Sequence, residues 1–193
     1  AIGRDALSAL NIATAANTYN TAVGSSAGAA LSTGTLNTLI GGLTGEALTS
    51  AVGNNAFGYA ALGSDTLGNQ NTAIGYLTLQ NQNFTTATSV YNTAVGSQAG
   101  NDITTGIYNT LIGALAGDAL TDADQNIALG YAALSSDTFG SNSVAIGPYA
   151  LGTQNFTTAT NAYNVAIGSS AGYAITTGVQ NTIIGGAAGD SLT

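Results

Sequence analysis

The segment YNTAVGSQAGNDITTGIYNTLIG, residues 91–113, carries the unit that decides the fold. It holds Asn-Thr-Ala-Val-Gly at 92–96 and Asn-Thr-Leu-Ile-Gly at 109–113, so one pentad returns with a period of 17. Outward from this stretch the same pentad recurs as NTAVG (20–24), NTLIG (37–41), NNAFG (54–58), NTAIG (71–75), NIALG (126–130), SVAIG (143–147), NVAIG (164–168) and NTIIG (181–185). The chain opens inside an eleventh copy, Ala1-Ile2-Gly3. Successive closing glycines are spaced by 17 except at three intervals of 21, and four units make a cycle of 72. The cycle is visible in the letters: YNTAVGS at 19–25 returns at 91–97, GYAAL at 58–62 at 130–134, and NFTTAT at 83–88 at 155–160. Such periodicity marks a repeat architecture. The chain reads as one array over 1–193, with cycle one at 1–72, cycle two at 73–144 and a partial third cycle at 145–193, cut from a longer fibre. It begins without Met, as a processed product or an excerpt would.

Each column of the repeat has its own chemistry. The residue before the closing glycine is Ile, Val, Leu or Phe in all eleven copies, which suits a pleated, half-buried strand. The residue before that is Ala, Leu or Ile, and neighbours on a strand face opposite ways, so both faces are apolar and both need cover. A coil of about 17 residues covers one face with its own return; the other calls for a second chain. The closing glycines Gly24, Gly41, Gly58, Gly75, Gly96, Gly113, Gly130, Gly147, Gly168 and Gly185 imply a positive φ or a neighbour too close for a Cβ. Four positions later, leucine (Leu62, Leu79, Leu134, Leu151) alternates with glycine and is expected to plug a layer that glycine rungs leave open. Asn opens the pentad as Asn20, Asn37, Asn54, Asn71, Asn92, Asn109, Asn126, Asn164 and Asn181, with Ser143 the exception. Stacked at about 4.8 Å, these amides can form a ladder along the axis; alternatively Asn is a turn residue tolerant of the left-handed conformation. Asparagines and closing glycines together are the expected structural ladder of the stack. Helix is disfavoured by the periodic glycines and the absence of a 3.6-residue pattern. The expected fold is an all-β parallel β-solenoid of about eleven rungs, a rod on the order of 50 Å long.

Composition narrows the function. Charged residues are 5% and hydrophobic ones 45%, a balance opposite to that of disordered chains. With a net charge of −8 and Arg4 as the sole Lys or Arg, the chain is not expected to bind nucleic acid or an anionic membrane surface. No apolar run of about 18 residues and no basic leader are present, so neither membrane insertion nor an export signal is expected of this segment. His, Cys, Met and Trp are absent, which removes disulfides and thiolate metal sites and leaves little for acid–base catalysis. No catalytic residue, cofactor or metal is expected. The densest acidic group, Asp118, Asp122 and Asp124, matches no EF-hand spacing and reads as solvated turns. Glu46, Asp118 and Asp190 recur every four rungs, about 19 Å apart at about 4.8 Å per rung, too far for a glycosidase pair; Asp65 and Asp137 share the same separation in another column.

The three long rungs carry four extra positions within 11–20, 83–92 and 155–164. Insertions in solenoids emerge on one side and often bind. Tyr19, Phe84, Tyr91, Phe156 and Tyr163 would then line one edge and could stack on sugars, or else cap the widened coil. Asn83-Phe84-Thr85 and Asn155-Phe156-Thr157 formally match a glycosylation sequon.

Through the segments NTAVGSSAG, NTAIGY and SVAIGPYAL the whole chain resembles the YadA-like head repeats of trimeric autotransporter adhesins, and more closely the longer Thr- and Asn-rich repeats of tail-fibre proteins of bacteriophages, marine ones especially. The resemblance implies a homotrimeric, left-handed parallel β-roll on a virion surface appendage, giving reach and contact with a host cell-surface glycan or protein. The alternative is the head of a bacterial cell-surface adhesin. Rung lengths of 17 and 21 depart from the shorter period of autotransporter heads and favour the phage branch. Two further alternatives are a polysaccharide-cleaving tailspike and an ice-binding solenoid, the latter because Thr fills two columns, one including 49, 66, 104, 121, 138, 176 and 193, the other 21, 38, 72, 93, 110 and 182.

Overall fold

The computed structural model describes residues 1–11 and 17–192. Residues 12–16, inside the first insertion, and 193, the last of one Thr column, lie outside the described residues. The strands are β1 (Thr21–Val23), β2 (Thr38–Ile40), β3 (Asn55–Phe57), β4 (Gly68–Asn69), β5 (Thr72–Ile74), β6 (Thr88–Ser89) and β7 (Thr93–Val95). They continue as β8 (Thr110–Ile112), β9 (Ile127–Leu129), β10 (Gly140–Ser141), β11 (Val144–Ile146), β12 (Thr160–Asn161), β13 (Val165–Ile167) and β14 (Thr182–Ile184).

Each pentad supplies one three-residue strand. Ten of these pair in parallel as β1-β2-β3-β5-β7-β8-β9-β11-β13-β14, making a parallel β-solenoid of about ten turns. Like stacks on like: Thr93 pairs with Thr72 and Thr110, and Val95 with Ile74 and Ile112. Ile2 bridges Val23, extending the sheet toward the chain start. The second and third long rungs keep this register, because their extra residues return to the coil through β6 on β4 and β12 on β10. These two insertions are thus paired segments and not free loops.

The core lies inside the coil. Ala22, Leu39, Ala56, Ala73, Ala94, Leu111, Ala128, Ala145 and Ala166, the middle residues of their strands, are all buried. Seven positions after the closing glycine, Leu31, Leu48, Ile103, Leu120 and Ile175 fill the opposite side. The leucine column fills the layer as expected where a leucine rung meets a glycine rung: methyls of Leu7, Leu79 and Leu151 lie 2.9, 2.9 and 3.1 Å from where a Cβ at Gly28, Gly100 and Gly172 would sit. Gly117 is covered from within its own rung as well, by a methyl of Leu120 at 2.8 Å. Leu62, Leu79, Leu134 and Leu151 also fill rungs in which the later position is polar: Asp65, Gln82, Asp137 and Gln154.

The corners rely on left-handed backbone. In the rung closing at Gly96, Tyr91 (φ 55°), Gln98 (φ 58°) and Gly100 (φ 58°) are left-handed, and the same three columns repeat through the stack. Most of these residues are not glycine, at a cost of about 1 kcal/mol or more each, which the strands they join must offset. No helix occurs among the described residues, and none is long and apolar enough to cross a membrane.

Candidate functional site

Two polar systems hold the rungs together. Along one side the Asn side chains are linked: Asn109 donates its backbone N–H to Asn92 Oδ1 (2.8 Å), its Nδ2 to the same oxygen (3.3 Å) and to Ala123 O (2.7 Å). The pattern repeats from Asn20 to Asn37, Asn54 and Asn71, and from Asn164 to Asn181. None of these asparagines is left-handed; the residue before each one is, as at Tyr108 (φ 60°) and Gln125 (φ 58°). Ser143 donates its N–H to Asn126 Oδ1 (2.9 Å), and its hydroxyl accepts from Gln154 Nε2 (3.2 Å).

The closing glycines stack beside this side-chain ladder. Gly24, Gly41, Gly58, Gly75, Gly96, Gly113, Gly130, Gly147 and Gly168 form a separate, half-buried backbone column. Their φ angles run from 126° at Gly147 to 143° at Gly75. A Cβ on any of them would run into the backbone of the glycine one rung on, so positive φ and close approach apply together. Gly185 ends the column with φ 131° and meets only Ala188. What joins this column is main chain to main chain: Gly41 donates its N–H to Val23 O (2.7 Å), and Gly147 to Leu129 O (2.7 Å).

The second polar system is a buried carboxylate. Asp65 is wholly enclosed; its Oδ1 accepts from the N–H of Gly68 (3.0 Å) and Phe84 (3.1 Å), its Oδ2 from Gln82 Nε2 (2.6 Å). Gln82 Oε1 in turn accepts from Asn92 Nδ2 (2.9 Å), tying the carboxylate to the ladder. Asp137, Gln154, Phe156 and Asn164 repeat the arrangement one cycle later. Sequence reasoning missed it, although SDTLG at 64–68 and SDTFG at 136–140 each precede a Gln-Asn-Phe by the same interval.

The aromatic edge is corrected in part. Phe84 and Phe156 are buried, because their N–H groups are drawn in by the carboxylates and their rings roof the widened rungs. Tyr19, Tyr91 and Tyr163 are exposed.

Asp118 lies near Asp102, and Asp124 near Asp122, close enough for the charges of each pair to interact. Asp122 accepts from the Thr105 hydroxyl (2.7 Å) and Asp124 from the Ile107 N–H (2.8 Å). Asp118 is half-buried, with one oxygen enclosed and unpartnered. A cleft of about 470 Å³ is lined by Tyr149, Ser170, Tyr173 and Asp190, which gives it one carboxylate. No cluster of three metal-ligating side chains occurs among the described residues. Burial is the largest cause raising the carboxyls of Asp65, Asp118 and Asp124 above their ordinary 3.8. The folded chain then holds protons at a pH where the unfolded chain has lost them, so stability grows as pH falls through the folded values and levels off below 3.8. The thermal midpoint is expected to be higher near pH 4 than near pH 8; a circular-dichroism melt series showing the reverse order would contradict these environments.

The outward face of the main sheet is different in kind. Its side chains come from the first and third residues of each strand, Thr93 and Val95 or Thr110 and Ile112, and none of the strands contains a charged residue. Ile74, Ile112, Leu129 and Ile167 are 36–42% exposed, and the stripe continues to Ile2 and Ile184 at the two ends. The three-residue strands span about 10 Å and ten of them at about 4.8 Å run about 48 Å, on the order of 500 Å², with Thr or Asn at the first position in seven of the ten. A patch of that size on a soluble chain is often functional. Tyrosines border it: Tyr19, Tyr91, Tyr108 and Tyr163 just before the strands, Tyr59, Tyr76 and Tyr131 just after the closing glycines. Tyr59 stacks on Tyr76 (5.8 Å) and Tyr91 on Tyr108 (5.7 Å) along the axis. The Thr column at 49, 66, 104, 121 and 138 is committed elsewhere, since its hydroxyls donate to carbonyls of the next rung.

Comparison with protein-family models, curated proteins and solved structures gives no match to this chain.

Proposed function

We propose that this chain is a structural segment of a fibrous surface appendage of a phage virion, in which three copies bury their outward sheet faces against one another about the rod axis. The observation that carries the proposal is the uncharged stripe of Val, Ile, Leu and Phe running the length of the sheet. It runs the length of the stack, an apolar patch of this kind marks an interaction site, and a parallel sheet is ordinarily covered on both faces. A left-handed coil and a homotrimer are the arrangement of the repeats this sequence resembles. Asp65 and Asp124 are engaged by backbone N–H groups and Asp122 by the Thr105 hydroxyl, which supports a spacer or adhesive role over an enzymatic one. The ligand in an adhesive role would be a host-surface glycan or protein, met by the side of the rod turned away from the axis. Tail and baseplate genes are expected beside its own; a membrane-anchoring barrel encoded downstream would assign it to a bacterial adhesin.

Analytical ultracentrifugation tests the association. At micromolar concentration the chain is expected to sediment as three copies, and Ile112→Asp, which sets a carboxylate in the stripe, to release single chains. A wild-type chain that stays single overturns the proposal.

A further inference from the structure

The two tyrosine borders of the sheet face are complementary level by level. Where the border ahead of the strand carries Tyr, the residue after the glycine of the same rung is small: Tyr91 is matched by Ser97, and Tyr108 by Ala114. Tyr19 with Ser25 and Tyr163 with Ser169 repeat the rule. Where the second border carries Tyr, the first does not: Tyr59 is matched by Gly53, Tyr76 by Gln70 and Tyr131 by Gln125. No level carries two tyrosines, and Leu36 stands level with Gly42. All seven border tyrosines are exposed.

Nothing within one chain requires this alternation. Six residue steps of largely extended backbone lead from Tyr91 to Ser97, about 20 Å at about 3.3 Å per step, so the borders of one rung do not touch. We infer that each border meets the opposite border of a neighbouring copy at the same height, so that every seam level between chains holds at most one tyrosine. The occupant of the surface is therefore a second copy of this chain, parallel and in register, related by rotation about the rod axis. Such heterologous contacts close into a ring when the rotation closes, as it does for three copies about one axis. An antiparallel neighbour would set each level against a different one and lose the match. Within a border, stacked pairs such as Tyr59 on Tyr76 fill two successive levels before the tyrosines change sides. The inference rests on the association proposed above and adds its direction, register and seam.

A side-chain exchange tests it. Ser97→Tyr puts two tyrosines at one level and is expected to weaken association at least about tenfold by overpacking. Tyr91→Ser combined with Ser97→Tyr moves the single tyrosine across the seam and is expected to return assembly to within about threefold of wild type. Far-UV circular dichroism should be unchanged in both, since Tyr already occupies the column of Ser97 at 59, 76 and 131. Gln125→Tyr, alone and with Tyr131→Ser, repeats the exchange with the borders reversed. If Ser97→Tyr assembles like wild type, or the double variant stays as dissociated as the single one, the seam is wrong while the association stands. If wild type itself is a single chain, both fall.

Discussion

Gly113→Ala is expected to prevent the rod from forming through its middle. Gly113 has φ +135°, and a Cβ there would lie 2.5 Å from the carbonyl oxygen of Gly130 and 2.7 Å from its carbon. Both are backbone atoms of the next rung. Neither can withdraw without opening the pairing of β8 with β9, whose strands end at the residues just before these glycines. The disruption is shared by two rungs and has no flexible side chain to absorb it, so the cost should exceed about 4 kcal/mol, the range reached by few single substitutions. The same contact recurs down the glycine column, Gly168 on Gly185 being another instance at 2.5 Å. Gly186→Ala is the control, because a Cβ there meets nothing within 4 Å and its effect should stay within about 0.5 kcal/mol. Urea unfolding followed by circular dichroism separates the two, and a Gly113→Ala rod as stable as the Gly186→Ala one would refute the backbone-contact account.

Asp65→Ala should be nearly as damaging for a different reason. It leaves the N–H groups of Gly68 and Phe84 and the Gln82 amide without their acceptor inside an enclosed layer. Each orphaned donor costs about 1–3 kcal/mol, partly offset by release of a desolvated carboxylate, so a net loss of about 3–5 kcal/mol is expected. Asp65→Leu should fare no better, although Leu48 and Leu120 hold the same column, because Leu62 already fills that layer. Midpoints of urea denaturation measure both; an Asp65→Ala chain within about 1 kcal/mol of wild type would show that the network contributes little.

The rod was legible in the sequence because its causes are local and repeated. Pentads with small or apolar, branched and glycine positions in fixed order give strands and register directly; that the alanine column is the inward one comes from the structure. The corners were not legible. Three left-handed positions per rung fall largely on Leu, Tyr, Gln, Ala and Ser, of which only Ser is a common turn residue, so a turn at Asn was the reading on offer, and the left-handed residue lies one position earlier. For Phe84 the letters left two readings open, an exposed edge and a cap on the widened coil; its burial favours the cap, and the distant Asp65 that draws its backbone inward carried no local signal. The tyrosine borders were visible as letters, but their alternation acquires meaning only once the strand separating them is known to face outward.

The buried Asp–Gln pairs also limit how the gene can change. Asp65 finds its amide partner one rung on, at Gln82, and Leu62 and Leu79 take up the volume that Leu48 and Ile103 fill in adjoining rungs. Removing or duplicating a single short unit there would strand a carboxylate against a leucine, whereas gaining or losing a whole four-rung cassette keeps every partner. Length variants of the appendage should therefore differ in steps of about 19 Å, four strand spacings at a time.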